Sequence, residues 1–368
     1  MYRPVFPTRC SLLGRHIAAA LLCAVALLAL TGAPAQAGVA NAGVAGASPT
    51  DPLAGLPWGN YTGSQDEAMP SYDSATGVSR QMLGRVALRP RMRWYGAWYP
   101  DATIEQTARA YLANVTGGRG DVLAQVAIFR LDPWENAACR SLPTAARQAS
   151  YKRWIDGFAA GIGATRVALV LQPDLPFAFC VPHHSQLPLH MVAYAARVFS
   201  ALPHTTVYID AGAADWPTVG QAVGLLRAAG VGYARGFVLN ATHYDATGNE
   251  IRFAAAVARG LARAGLPGRH GVINTSSNGR GFTFQQFHGP DFNNATPCAS
   301  RASRRCVTLG IPPTPNVASP QWGLSAPSRR LAARYVDAYL WIGRPWLYRQ
   351  SDPFLLQRAI LMARTTPF

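Results

Sequence analysis

The chain has 368 residues, of which 49% are hydrophobic and 14% charged. That excludes a disordered polymer and leaves ample apolar material for a core. Its formal charge is +16, or about +13 once Arg3, Arg9 and Arg15 are set aside, and Lys152 is the sole lysine. The arginines are scattered rather than gathered in runs, which fits a generally basic surface, with anionic wall or matrix polymers as the other reading.

Residues 1–37 read as an export signal. Arg3, Arg9 and Arg15 give a positive start, IAAALLCAVALLAL is an apolar stretch, and Ala35-Gln36-Ala37 is a small-x-small cleavage site. An uncleaved anchor is the alternative, but the apolar run is short for a span. Cleavage after Ala37 predicts a secreted protein, periplasmic if the host has an outer membrane, with no stable membrane insertion. From Gly38, GVANAGVAGASPT reads as a flexible linker over 38–50, and 51–368 is expected to form one domain.

DPLAGLPWGNYTG, from Asp51, is an extended entry. After it, short apolar runs alternate with helical patterns. RMRWYGAWY, VLAQVAIFRL, RVALVLQPD, TTVYID, GFVLNAT and HGVINTSSNG read as strands, and RRLAARYVDAYLWI closes the series. IEQTARAYLANVT, SYKRWIDGFAAGIG, HMVAYAARVFSAL, VGQAVGLLRAAG and NEIRFAAAVARGLARAG read as helices, and DPFLLQRAILMART as the last. In SYKRWIDGFAAGIG, Trp154, Phe158 and Ile162 fall on one helical face. VYID and GFVLN lack strict alternation, so both faces are expected to be buried, as in parallel sheets. Repeated βα units around one core predict an α/β fold of the β/α-barrel type. Ala295 to Val317 reads as a long Cys- and Pro-containing loop.

Barrel chemistry sits at the C-terminal ends of strands. Asp174, then Asp210 with Asp215 and Trp216, then Asn240, His243, Tyr244 and Asp245, then Asn274, Ser277 and Asn278 occupy such ends. Asp132, Trp134, Glu135 and Asn136 follow the strand before Cys139. No phosphate loop and no metal spacing appears; His183-His184 lacks a third ligand. Carboxylates with aromatic platforms and amides suit sugar: rings stack on pyranose faces, amides bond hydroxyls, and paired carboxylates supply acid and base. The bland alternatives are a helix cap or turn for Asp210, packing under a loop for Trp216 and a turn for Asp174.

Cys10 and Cys23 leave with the leader, and four cysteines remain. In an oxidising compartment they make two disulfides. Of three pairings, Cys139–Cys180 with Cys298–Cys306 is favoured because the second closes one short loop.

Taken in order, YKRWIDGFAAGIG with ALVLQPD, then VYIDAGAADW, FVLNATHY, VINTSSNGRGF and DAYLW resemble glycoside hydrolase family 6, the cellobiohydrolases and endoglucanases. The resemblance runs from about Asp51 to Phe368. It implies a distorted seven-stranded parallel β/α barrel, a variant of the TIM barrel. The implied chemistry is cleavage of β-1,4-glucosidic bonds of cellulose or related β-glucan with inversion, endo action being favoured. It implies Asp174 as general acid, Asp210 as a supporting carboxylate, and Trp216, Asn240 and Tyr244 as substrate contacts. Trp341, in DAYLW, is a further candidate for shaping a subsite, with Trp346 behind it. The resemblance supports the Cys139–Cys180 pairing and implies no cofactor or metal. The expected partner is a β-glucan or cello-oligosaccharide, not nucleic acid, and the expected state is a monomer.

Several positions depart from the family pattern. Gln172 stands where a Glu is usual, and Ala213 where a His is common. Ala137 and Ala138 replace an Arg-Asp whose Asp tunes the acid; Glu135 or Asp132 would substitute only if their loop folds back. Ser277 replaces an Arg. The base is unassigned: counted without a gap it falls near Arg349, and Asp352 reads as a cap for the last helix. A non-catalytic glycan-binding protein on the same barrel is the alternative function.

Overall fold

The computed structural model describes residues 50–368. The leader and the linker, up to residue 49, lie outside the described residues. Seven parallel strands pair in sequence order: β1 (Arg93–Gly96), β2 (Ala124–Phe129), β3 (Val167–Leu171), β4 (Thr205–Asp210), β5 (Gly236–Leu239), β6 (His270–Asn274) and β7 (Val336–Leu340). The sheet curls until its edges meet. Met92 N–H donates to the Trp341 carbonyl (2.9 Å) and the Trp94 indole to the Ile342 carbonyl (2.7 Å). Among the described residues no ladder joins β1 to β7, so the barrel is distorted and has a seam.

The strands are apolar on both faces because both are covered. Ala127, Ala168, Val170, Tyr208, Val238, Val272 and Leu340 fill the inside of the curl. Val126, Leu169, Ile209, Phe237 and Ile273 face outward onto helices. Each such aliphatic side chain contributes roughly 1.5–3 kcal/mol by leaving water. The helices α3 (Ile104–Thr116), α4 (Ala145–Ile162), α5 (Leu187–Ser200), α6 (Val219–Ala228), α7 (Thr247–Arg263) and α8 (Ala326–Tyr335) connect the strands, and α9 (Leu356–Thr365) follows them. Local signals set their ends. Gly117 closes α3 in the left-handed conformation at φ 59°. Thr218 and Gln221 form a capping box on α6. On α4, Trp154 and Phe158 stack at 5.2 Å and are fully buried.

Two helices, α1 (Met69–Ser74) and α2 (Gly77–Ala87), occupy a stretch where the sequence reading placed nothing. Gly77 and Gly84 weaken the helical pattern of α2. What holds it is tertiary: Leu83, Val86 and Ala87 join Ala359, Met362 and Ala363 of α9 and Val307 and Leu309 in a separate core cluster. The last helix starts later than expected, at Leu356, with Leu355 at its N-cap. Asp352 therefore does not cap it.

Both disulfides are formed. Cys139–Cys180 ties the segment after β2 to the segment after β3, and Cys298–Cys306 closes an eight-residue step within the 295–317 loop.

Candidate active site

A cleft of about 600 Å³ opens beside the seam. Its walls come from the segments after β1, β2, β3 and β5 and from the long exit of β7. Four carboxylates line it: Glu67, Glu135, Asp174 and Asp352.

Asp174 sits three residues beyond β3, in the left-handed conformation at φ 63°. It is 9% exposed. Thr242 donates its hydroxyl to Asp174 Oδ1 at 2.6 Å. Burial raises the Asp174 pKa, against the Thr242 bond and the nearby His243, which lower it. A carboxyl that keeps its proton is what a general acid requires.

Asp210, the last residue of β4, lies beneath. Its Oδ2 accepts the backbone N–H groups of Leu175 and Gly212, both at 3.2 Å. It is 1% exposed, and burial, then the Asp174 charge, hold its pKa well above the ordinary carboxylate value. Asp210 thus ties down the turn that follows Asp174.

Of Glu135 and Asp132, Glu135 lines the cleft with Asp174. Glu135 begins a 3-10 turn (Glu135–Ala137) that Cys139–Cys180 draws toward the Asp174 loop. Gln172 helps from the floor: its Oε1 accepts the N–H groups of Arg130 (3.2 Å) and Leu131 (3.1 Å). Glu135 stands at the open side of the cleft. The protein around it, and then the Asp174 charge, push its carboxyl up to about 7. Asp132 turns away to Arg147, at 3.2 Å.

Asp352 also lines the cleft. Gln350 anchors its loop, donating Nε2 to the Thr242 carbonyl (3.2 Å) and accepting Arg344 N–H on Oε1 (3.3 Å). Arg349 pairs with Asp291 at 2.6 Å. Glu67 lies between Arg91 (3.7 Å) and Arg344 (3.6 Å). Glu135, Asp174, Arg349 and Gln350 all have positive φ, and such backbone strain collects where a site over-determines its geometry.

Two indoles escaped the sequence reading. Trp98 is 54% exposed and presents its ring to the cleft; Trp94 lies beside it with Arg344 over its ring at 5.1 Å. The signal was present: Trp98 follows β1 by two residues, and the strand-end rule applied to β1 finds it. A Cβ at Gly96 would fall 2.3 Å from the Trp98 ring and 2.4 Å from the Phe129 carbonyl, so only glycine lets this turn fold so closely.

Other expected contacts are scaffold. Asn240 is fully buried; its amide donates to the carbonyls of Asp245 and Asn274, both at 3.2 Å, and it accepts Asp245 N–H. Tyr244 is fully buried and stacked on Phe282 at 5.1 Å. The Trp341 indole is buried and donates to the Ile311 carbonyl at 3.0 Å, with Trp346 also buried beside it. Asn240, Tyr244 and Trp341 are thus buried, and none of them lines the cleft. Trp216 is half-buried with one face covered: His243 stacks on it at 5.0 Å and 13°, and Asp215 holds His243 Nδ1 at 2.8 Å. Trp216 is not among the residues lining the cleft.

A curled parallel barrel with a cleft lined by carboxylates and an exposed indole is the arrangement of a β/α-barrel glycoside hydrolase. The chain belongs to glycosyl hydrolases family 6, whose model matches residues 57–346. It is 29% identical over 230 residues to Endoglucanase A of Cellulomonas fimi, covering 61% of this chain and 47% of that protein. It is 31% identical over 199 residues to Endoglucanase 1 of Streptomyces halstedii, covering 53% and 61%. The chain thus spans about half to three-fifths of the length of these relatives. Among solved structures, the endoglucanase Cel6 from Mycobacterium tuberculosis, in complex with methyl-cellobiosyl-4-deoxy-4-thio-β-D-cellobioside, matches at TM-score 0.68 and 29% identity. That match covers 86% of this chain and 99% of the other.

Proposed function

We propose that the protein is an exported endo-glucanase that hydrolyses β-1,4-glucosidic bonds of cellulose or a related β-glucan with inversion, residues 51–368 acting as one catalytic unit. The observation that carries this reading is the meeting of Asp174, Asp352 and Trp98 in one cleft. Asp174 protonates the leaving oxygen. Asp352 takes a proton from the attacking water on the other side of the sugar, the role the sequence left unassigned. Trp98 stacks on a pyranose ring, a contact worth roughly 0.5–1.5 kcal/mol beyond its area. The endoglucanase names of the relatives, and the cellobioside bound to the Mycobacterium tuberculosis enzyme, support the substrate class and the endo preference.

The test is reducing-end release from carboxymethylcellulose and mixed-linkage β-glucan, with NMR of the first anomer formed from a cello-oligosaccharide. The α-anomer is expected. No release, with binding retained, would make this a glycan-binding barrel.

Glu135→Gln should shift the pH profile. Burial, then the Asp174 charge, push Glu135 up to about 7, and a charge gained by Glu135 in that range opposes ionisation of Asp174 in return. Hydrolysis needs a proton on Asp174 and falls as Asp174 ionises. A glutamine carries no charge to oppose Asp174, so the alkaline limb of kcat/KM moves to lower pH. An unmoved limb would mean that the two groups titrate independently.

Cys139→Ser with Cys180→Ser should cost activity more than stability. The bond spans 41 residues, and its loss removes roughly 2–4 kcal/mol, but it also frees the turn bearing Glu135. Thermal unfolding and the pH profile measured together separate the two effects; the profile should approach that of Glu135→Gln.

A further inference from the structure

Away from the cleft, α2, α9 and the Cys298–Cys306 loop share one core cluster, and their outer rim is arginine. Arg80, Arg85 and Arg89 line a concavity of about 660 Å³ on α2. Arg280, Arg304 and Arg305 line another of about 710 Å³ beside the disulfide loop. The end of α9 joins the two. Arg85 Nη1 donates to the Ala363 carbonyl (3.2 Å), Arg301 Nε to the Arg364 carbonyl (3.2 Å), and Arg280 Nη2 to the Arg301 carbonyl (2.7 Å). Among the described residues none of these arginines forms a salt bridge. Arg280 Nε is buried with no acceptor. Neither concavity shares a residue with the cleft.

We propose that this face binds a carboxylated polysaccharide. Planar guanidinium forks match carboxylates two bonds at a time. Two basic concavities separated by a helix end call for an elongated polyanion; a small anion would fill only one. The surface is held in shape before binding, by α2 packing on α9 and by Cys298–Cys306, which lowers the cost of ordering it. Single-stranded nucleic acid would look for open aromatic platforms. The one aromatic ring lining either concavity is Tyr72, and Arg80 covers it at 4.1 Å. The surface would hold the enzyme on acidic polymers that accompany its glucan.

The experiment measures binding of the whole protein to polygalacturonate, with hydroxyethylcellulose as neutral control and duplex DNA as a second polyanion. Polygalacturonate should bind at low salt and release steeply between roughly 50 and 200 mM salt, as counterion release dictates. The triple variant Arg301→Gln, Arg304→Gln, Arg305→Gln should bind at least about tenfold more weakly, with glucan hydrolysis unchanged. If that variant folds poorly, the pair Arg89→Gln, Arg364→Gln, at exposed positions of the same rim, gives the same reading. Unchanged binding in the folded variants, or none by the wild type at low salt, overturns the proposal. So does tighter binding to DNA than to polygalacturonate, which would assign the face to nucleic acid.

Discussion

Asp174→Asn should lose roughly a hundred- to ten-thousand-fold in kcat/KM on cello-oligosaccharides while folding normally. The asparagine Oδ1 can still accept the Thr242 hydroxyl that Asp174 Oδ1 accepts at 2.6 Å, so the turn keeps its anchor. What is lost is a transferable proton. A substrate whose leaving group needs no protonation, such as a dinitrophenyl cellobioside, separates this role from a structural one. The variant should hydrolyse it nearly as fast as the wild type. An equal loss on both substrates, with an unchanged unfolding temperature, would mean that Asp174 is not the acid.

Asp352→Asn should lower kcat about a hundredfold or more, with little change in KM. The base of an inverting hydrolase needs a water between it and the sugar, and the two carboxyls stand roughly 6.5–9.5 Å apart to admit one. Asp352 lines the same cleft as Asp174, in a loop tied by the Gln350 amide to the carbonyl of Thr242, whose hydroxyl bonds Asp174. Azide needs no base to attack, so it should restore turnover in Asp352→Asn and yield a glycosyl azide. Full activity in the variant would move the base elsewhere, Glu67 being the next carboxylate on the cleft.

The barrel was legible because parallel strands buried on both faces leave continuous apolar runs, and VALVL, TTVYID and GFVLN became β3, β4 and β5 almost residue for residue. Asp174 was legible because it ends such a run. Asn240, Tyr244 and Trp341 end runs too, yet a strand-end amide or ring serves equally to stitch the scaffold, and only burial tells the two apart. Asp352 was read as a cap because Asp-Pro before a helical pattern looks like one; the helix starting at Leu356 removes that reading. Helix α2 was hidden by its glycines, being held by contact with α9. The arginine face was hidden for a related reason. Arg85, Arg301 and Arg364 are far apart in sequence, and packing alone makes neighbours of residues that looked scattered.

The seam between β1 and β7 has a further consequence. Where a barrel closes by a full ladder, the distance across its mouth is fixed by strand number and tilt. Here Asp174 follows β3 and Asp352 follows β7 at the unladdered edge, and the segment from Arg344 to Asp352 is held by a few anchors. Insertions or deletions in that one segment can retune the gap for a different attacking water or a bulkier, branched glucan while every strand keeps its register. The jaw is adjustable by loop length alone, which makes it the place to begin in redesigning what this barrel cleaves.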